Sequence, residues 1–142
     1  LCTNIDFDHP DVFDSIDDVA KAYEKFFKQS KSLVVCADNR LALETAIKSG
    51  VSFVSYGFSD DADVRVKNNV VGDRGSSFDI KIRDESINGI EISMYGNHNV
   101  LNAVGVFLIL TGLGFEESEI KSAIKNFKGA KRRFEVVYHK MV

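Results

Sequence analysis

The first third of the chain alternates between helical periodicity and short, continuous apolar runs. Residues 32–37 and 52–57 are apolar runs of strand length, which is typical of strands covered on both faces. Apolar residues at helical spacing fill the stretches 15–27 and 40–49 around them. Together with the β-like residues 1–7, this order predicts a parallel sheet that carries helices.

Single residues mark the ends of these predicted helices. Ser15 is a preferred type of N-cap for the first helix, and either Asp38 or Asn39 can cap the helix over 40–49. Gly50 can take the left-handed conformation that ends such a helix. We therefore expect short loops between the helices and strands of this region.

The pattern changes in the middle of the chain. Residues 63–68, 77–84 and 89–96 alternate apolar and polar positions, as strands do when only one face is buried. Glycines and the Asn88-Gly89 pair punctuate these segments. A helix then begins at 97–99, a second follows near 117–127, and a strand-like segment ends the chain. The predicted fold class is α/β, a partial three-layer parallel sheet with flanking helices plus a small antiparallel β unit.

Composition excludes some classes of protein. The 142 residues suit one domain, and a formal net charge of −3 argues against a nucleic-acid-binding surface. The apolar run over 100–114 is too short to cross a bilayer, so we expect no membrane span. Cys2 and Cys36 do not make a disulfide framework, which favours a reducing, cytoplasmic setting.

The stretch "GNHNVLNA" over 96–103 carries the first candidate chemistry. Asn97 can cap a helix, but Asn102 lies inside an apolar segment where Asn is a poor helix former. Asn99 and Asn102 are three residues apart and therefore share a helical face. Their amides can serve a flat heterocycle such as adenine, or the stretch can be a helix cap and nothing more.

Two further stretches carry ionic groups. His9, beside Asp6 and Asp8, can ligate a divalent cation, or the stretch can be a surface loop whose acids only cap and solvate. In "FKGAKRRFE" over 127–135, four basic residues follow the end of the last predicted helix. They can complement the helix dipole, or Arg133 can bind a phosphate through its guanidinium fork.

Taken together and in order, these stretches and "YGFSDDAD" resemble the Mur ligases of peptidoglycan synthesis. The resemblance implies an ATP-dependent amide ligase that activates a carboxylate as an acyl phosphate. It implies that His9 is a Mg²⁺ ligand and that Arg133, as the catalytic residue, contacts the phosphates of ATP. It also implies that His98, Asn99 and Asn102 line the adenine site.

The resemblance extends to the substrates. The tandem arginine before Phe134 favours an alanine-adding member of the family, so the implied partners are UDP-N-acetylmuramate and L-alanine. A ligase that recycles UDP-muramoyl peptides is the alternative within the family. A free-standing α/β binding or interaction domain without catalysis is the alternative from a different class.

The chain departs from the family pattern in one large respect. It contains no G-x-x-x-x-G-K-[ST] phosphate loop, which the resemblance places upstream. Residues 1–132 are therefore expected to be the C-terminal part of the central ATPase domain, and residues 133–142 the start of the connection to the C-terminal domain. Such a piece should be inactive alone, and its open sheet edge should favour a homodimer.

Overall fold

A computed structural model describes residues 1–7 and 10–129, which form helices on both faces of a five-stranded sheet. The helices are α1 (Ile16–Phe27), α2 (Arg40–Ser49), α3 (Asn97–Gly112) and α4 (Glu117–Asn126). The strands are β1 (Leu33–Cys36), β2 (Phe53–Gly57), β3 (Val64–Gly72), β4 (Gly75–Ile82) and β5 (Glu85–Ile92). The α/β class predicted from the sequence is confirmed.

The parallel strands and the antiparallel unit form one sheet in the order β1-β2-β3-β4-β5. β1 pairs with β2 and β2 with β3 in parallel, whereas the β3–β4 and β4–β5 pairs are antiparallel. The β-like residues 1–7 contribute one parallel bridge, between Cys2 and Val35. The two predicted units are thus joined edge to edge in a mixed sheet.

Two apolar clusters hold the helices to opposite faces of the sheet. The cluster under α1 and α2 includes Val19, Phe27, Leu33, Val35, Ala42 and Ala46. The larger cluster under α3 and α4 includes Tyr56, Val66, Phe78, Ile80, Ile90, Val104, Phe107 and Ile124. Successive residues of β1 enter different clusters because side chains alternate along a strand. The cover over β2 is incomplete, since Val54 is 42% exposed.

The helix ends follow the local signals of the sequence. Ser15 Oγ accepts a hydrogen bond from the Asp18 amide at 3.3 Å. Asn39 Oδ1 accepts one from the Ala42 amide at 2.8 Å, so Asn39 rather than Asp38 caps α2. Gly50 ends α2 with a φ of 71°, in the left-handed region that favours glycine.

The connection between β2 and β3 is short for two parallel strands. Such neighbours usually need a crossover of about a dozen residues or more, yet only residues 58–63 separate these two. This is possible because the strands pair only at Tyr56 with Val64 and at Gly57 with Arg65. β3 therefore begins where β2 ends and runs on beyond the carboxyl end of the parallel strands.

Ser55 and Asp63 hold this connection closed. The Asp63 carboxylate accepts hydrogen bonds from the Ser55 amide at 2.9 Å and from the Ser55 hydroxyl at 3.2 Å. The Asp63 amide in turn donates to Ser55 Oγ at 3.0 Å. The two residues thus satisfy each other's polar groups at a site where Ser55 is buried.

Two β-bulges flank Asp79 in β4. The extra residue of β3 lies at Asn68–Asn69, and that of β5 lies at Asn88–Gly89. Asn68 and Gly89 have φ values of 53° and 70°, in the left-handed region. Asp79 Oδ2 accepts a hydrogen bond from Asn68 Nδ2 at 2.7 Å, and Oδ1 accepts one from the Gly89 amide at 2.9 Å. One carboxylate therefore bonds to both bulges.

The place of the Asn88-Gly89 pair corrects the predicted strand boundaries. The pair lies within β5 rather than before it, and the turn between β4 and β5 contains Arg83 with a φ of 55°. Bulges and hairpin turns both need left-handed backbone, which Asn and Gly supply. The sequence signal is the same for both structures, so it does not distinguish between them.

Replacing Asp79 with Asn should destabilise the protein at neutral pH, and the loss should shrink in acid. The hydrogen bond from Asn68, followed by that from Gly89, holds the pKa of Asp79 below its usual range. The stabilising effect is therefore complete above the unfolded-state pKa of about 3.9 and is lost as the pH falls through the lower, folded-state pKa.

Urea unfolding of the wild type and Asp79→Asn at about pH 7 and about pH 3 measures this effect. Asp84→Asn, in the exposed β4–β5 turn, is the matched control and should change little at either pH. An Asp79→Asn loss of equal size at both pH values would contradict a role for the ionised carboxylate.

Candidate nucleotide-binding site

Four residues separate β5 from α3, and Gly96 is the last of them. Gly96 occupies the N-cap position with a φ of 94° and a ψ of 146°, and no side chain caps the helix. The expected cap, Asn97, is instead the first residue of α3. A Cβ atom at Gly96 would lie 3.0 Å from the His98 ring. The first backbone amides of α3 therefore lie at the positive end of the helix dipole without a side-chain cap, and the His98 ring lies beside them.

Asn99 holds the connection that leads into α3. Its side-chain Nδ2 donates a hydrogen bond to the Tyr95 carbonyl at 2.7 Å, and the residue is half-buried. This bond closes the turn that contains Gly96. This bond uses one of the two N–H donors of the Asn99 side chain, so its side-chain oxygen and its second N–H can serve a ligand.

His98 and Asn102 lie on the solvent-facing side of α3. Both residues are exposed, and their spacing of four places them one turn apart on the same face. Val106, one turn further, is 41% exposed and continues this face. The structure therefore explains Asn102 without a buried amide, because α3 is covered on one side only.

Among the described residues, none of the helices has the length and apolar character that a membrane-spanning helix needs.

Two contacts from the β3–β4 hairpin reach the start of α3. Asn69 Nδ2 donates a hydrogen bond to Asn97 Oδ1 at 3.1 Å, and the Tyr95 hydroxyl donates to the Asp73 carbonyl. These contacts are not predictable from the sequence, because the partners are 28 and 22 positions apart and no motif links them.

Asp38 lies at the carboxyl end of β1 and bonds to the loop after β2. Its carboxylate accepts hydrogen bonds from the Phe58 amide at 2.8 Å and the Ser59 amide at 3.1 Å. A Cβ atom at Gly57 would lie 2.5 Å from Asp38 Oδ1, so the close approach requires glycine there. The sequence predicts Asp38 only as a possible helix cap. In the structure its carboxylate instead connects the end of β1 to the loop after β2.

Neither cysteine is a candidate nucleophile. Cys2 and Cys36 are free thiols, and both are buried. Burial raises the pKa of Cys2 to about 11 and also raises the pKa of Cys36. Both side chains are therefore protonated at neutral pH, whereas the thiolate is the reactive form. Cys36 acts instead as a small apolar residue of the buried strand β1.

Two of the predicted site residues lie outside the described residues. These are His9, the predicted metal ligand, and Arg133, the predicted phosphate contact; their neighbours Asp8 and Arg132 lie outside as well. Within residues 1–7 and 10–129, no three His, Cys, Asp or Glu side chains converge in a group that could hold a metal ion. Of the predicted site, the structure therefore describes the part formed by His98, Asn99 and Asn102.

Comparison with known proteins shows the family to which the chain is related. Residues 1–110 match the Mur ligase middle domain. Over 134 residues the chain is 37% identical to the UDP-N-acetylmuramate–L-alanine ligase of Lactococcus lactis subsp. lactis, a match that covers 94% of this chain and 30% of that protein.

Solved structures of related ligases share the fold. A UDP-N-acetylmuramoyl-L-alanyl-D-glutamate–2,6-diaminopimelate ligase superposes with a TM-score of 0.82 at 20% identity, over 96% of this chain and 29% of that one. The UDP-N-acetylmuramate–alanine ligase of Thermotoga maritima gives 0.79 at 21% identity, over 94% of this chain and 30% of that one. These likenesses define the class, a three-layer α/β domain of the type found in these ligases.

The chain belongs to the Mur ligase middle domain family. It spans about 30% of the length of the curated relatives that it matches. The family resemblance of the ordered motifs is thus confirmed.

The two amides of α3 should respond differently to removal. Asn102→Ala should keep the stability or raise it by about 0.5 kcal/mol, because Ala is the better helix former at an exposed position. Asn99→Ala should lower the stability by about 1 kcal/mol, because the hydrogen bond to the Tyr95 carbonyl is lost. Urea unfolding of both variants measures the difference. A clear loss in Asn102→Ala would assign its amide a structural role.

Proposed function

We propose that this chain is part of an ATP-dependent amide ligase that joins L-alanine to UDP-N-acetylmuramate in the synthesis of peptidoglycan precursors. The observation that carries the proposal is the start of α3, where His98 and Asn102 are exposed beside an uncapped helix N-terminus. Membership of the Mur ligase middle domain family and 37% identity to an alanine-adding ligase support it. The proposed setting is the cytoplasm.

The proposed reaction has two steps. The lactyl carboxylate of the muramoyl group attacks the γ-phosphorus of ATP, which forms an acyl phosphate and releases ADP. The amine of L-alanine then attacks the acyl carbon. The bond from that carbon to the phosphate oxygen breaks, the amine loses a proton, and inorganic phosphate leaves as the amide forms. Positioning and charge stabilisation are the main tasks of a protein in such phosphoryl transfers.

The residues of α3 would bind the adenine end of ATP. The exposed imidazole of His98 and the exposed amide of Asn102 can exchange hydrogen bonds with the edge of a base. Asn99 would contribute its side-chain oxygen while its nitrogen keeps the Tyr95 carbonyl in place. Arg133 would contact the phosphates, because its planar fork suits phosphate oxygens.

The described residues support a magnesium site less well than they support an adenine site. These residues contain no group of three or more ligand side chains in reach of one ion. His9 remains the proposed ligand, and it would need oxygen donors from the phosphates or from other parts of the ligase. Magnesium would neutralise charge on the phosphates when bound.

A non-catalytic α/β binding or interaction domain is the second candidate function. A Gly-Lys-Thr phosphate loop upstream in the same reading frame would decide for the ligase, because such a loop supplies much of the affinity for phosphates. A ligase that recycles UDP-muramoyl peptides is the remaining candidate within the family. Activity with L-alanine, compared with activity with a preformed peptide, separates the two ligases.

Asn102→Ala should raise the KM for ATP in the intact ligase by about 2- to 10-fold, the range for one lost neutral hydrogen bond. The KM for UDP-N-acetylmuramate should not change, because the exposed face of α3 is proposed to bind the adenine end of ATP. Steady-state kinetics with each substrate varied in turn measures both constants. Val106→Ala, one turn further along the same exposed face, is the control. An unchanged KM for ATP in Asn102→Ala would remove Asn102 from the site.

Arg133→Lys should reduce kcat more than Arg132→Lys, because lysine keeps the charge but lacks the bidentate fork. His9→Ala should raise the magnesium concentration needed for half-maximal rate. Turnover measured across a magnesium titration tests both residues. Equal tolerance at the two arginines, or an unchanged magnesium curve, would contradict the assigned role.

The 142-residue chain alone should bind ATP weakly and have no ligase activity. It should also form a homodimer, because residues 1–7 are the outermost segment beside β1 and expose Leu1 and Phe7 by nearly half. Isothermal titration with Mg-ATP and light scattering measure the two properties. A monodisperse monomer that binds ATP with a Kd of about 1 μM would favour the binding domain instead.

A further inference from the structure

The start of α3 is held by contacts that come from outside the helix. Gly96 has no side chain that could cap the helix. Its φ of 94° lies in the region that favours glycine, so the connection into α3 depends on glycine at this position. Within the helix, the Asn99 and Val100 amides both donate to the Gly96 carbonyl. The direction in which His98 and the first amides point therefore depends on what fixes the residues on either side of Gly96.

The β3–β4 hairpin fixes both sides. On the strand side of Gly96, the Tyr95 hydroxyl bonds to the Asp73 carbonyl near the hairpin turn. On the helix side, Asn69 Nδ2 bonds to Asn97 Oδ1 at 3.1 Å. Asn97 is the residue immediately before His98, so the contact acts on the first turn of α3.

The β-bulge is what brings Asn69 to α3. Val64 and Val66 point into the cluster under α3, and strict alternation would place Asn68 on that face next. The extra residue instead leaves Asn68 exposed, on the face where it bonds to Asp79 at 2.7 Å. Asn69 then takes the inward position. A β3 strand without the bulge would direct Asn69 away from α3.

The state of the Asn69 amide also requires an explanation. Its Oδ1 atom is buried and has no hydrogen-bond partner. A buried acceptor of this kind destabilises a fold, so an apolar side chain would suit this position better if packing alone mattered. The gain that remains is the bond from its nitrogen to Asn97.

We infer that the Asn68–Asn69 bulge, held by Asp79, is a positioning element of the nucleotide site, in which Asn69 sets the start of α3 through Asn97. The inference rests on the proposed function insofar as α3 binds the base of ATP. Asn69 itself does not contact the nucleotide. The bulge thereby links the antiparallel strands to substrate binding.

The variants Asn69→Ala, Asn97→Ala and their combination test the inference in the intact ligase. Asn69→Ala should raise the KM for ATP by about 2- to 10-fold and leave kcat and the KM for the UDP-sugar unchanged. The double variant should be no worse than the worse single variant, because both residues act through one bond. Stability should change little in Asn69→Ala, since the substitution also removes the unpartnered acceptor. Val70→Ala, at the next and exposed position of β3, is the control.

Hydrogen exchange of the 142-residue chain gives a second measurement that needs no activity. Asn69→Ala should speed the exchange of the Asn99 and Val100 amides in the first turn of α3. The Ile120 amide at the start of α4 should exchange at the wild-type rate. Val70→Ala should leave all three amides unchanged.

The outcomes separate the inference from the proposed function. If Asn102→Ala raises the KM for ATP but Asn69→Ala does not, the positioning role is wrong and the nucleotide site stands. If Asn69→Ala lowers both the stability and kcat and raises both KM values, the inference is also overturned, because such changes indicate a purely structural residue. If Asn102→Ala has no effect, the nucleotide site fails, and unchanged exchange in α3 would then reject the positioning of the helix as well.

Discussion

The pairing of β2 with β3 is the constraint on which the rest of this structure depends. Only two residue pairs connect these strands, Tyr56 with Val64 and Gly57 with Arg65. The offset makes a parallel pair possible across a six-residue connection, and the reciprocal hydrogen bonds of Ser55 and Asp63 keep that connection closed. Because β3 continues past the end of β2, the antiparallel strands stand beside the carboxyl edge of the parallel ones. Ligands in open α/β sheets bind at that edge.

The antiparallel unit has a polar framework of its own that ends at the candidate site. Asp79 bonds to the bulges on both neighbouring strands. One bulge directs Asn69 to Asn97 at the start of α3. The other exposes the Asn88 carbonyl to Lys121 of α4, at 2.7 Å. Bulges bend strands and redirect side chains. Here they connect the sheet to α3 and α4, the two helices on one of its faces.

Under the proposed function, the start of α3 supplies only part of what phosphoryl transfer needs. An uncapped helix start with exposed His98 and Asn102 can orient a base, but it offers no backbone cradle for a triphosphate. The proposed ligase therefore depends on groups beyond α3, among them Arg133. Family membership rests on the match of residues 1–110 to the family and on the identity to curated relatives, of whose length the chain spans about 30%.

The sequence by itself determined the features that depend on near neighbours. Helical and strand periodicity, the Ser15 cap and the Gly50 helix end were all predictable, because their partners lie within about four residues along the chain. Equivalent local signals could not choose between Asp38 and Asn39, or between a turn and a bulge at Asn88-Gly89. Only the tertiary structure decided those cases, together with the Asp79 and Asn69 contacts. Their partners lie 10 to 28 residues apart, and such pairs meet only after the sheet has set the strand register.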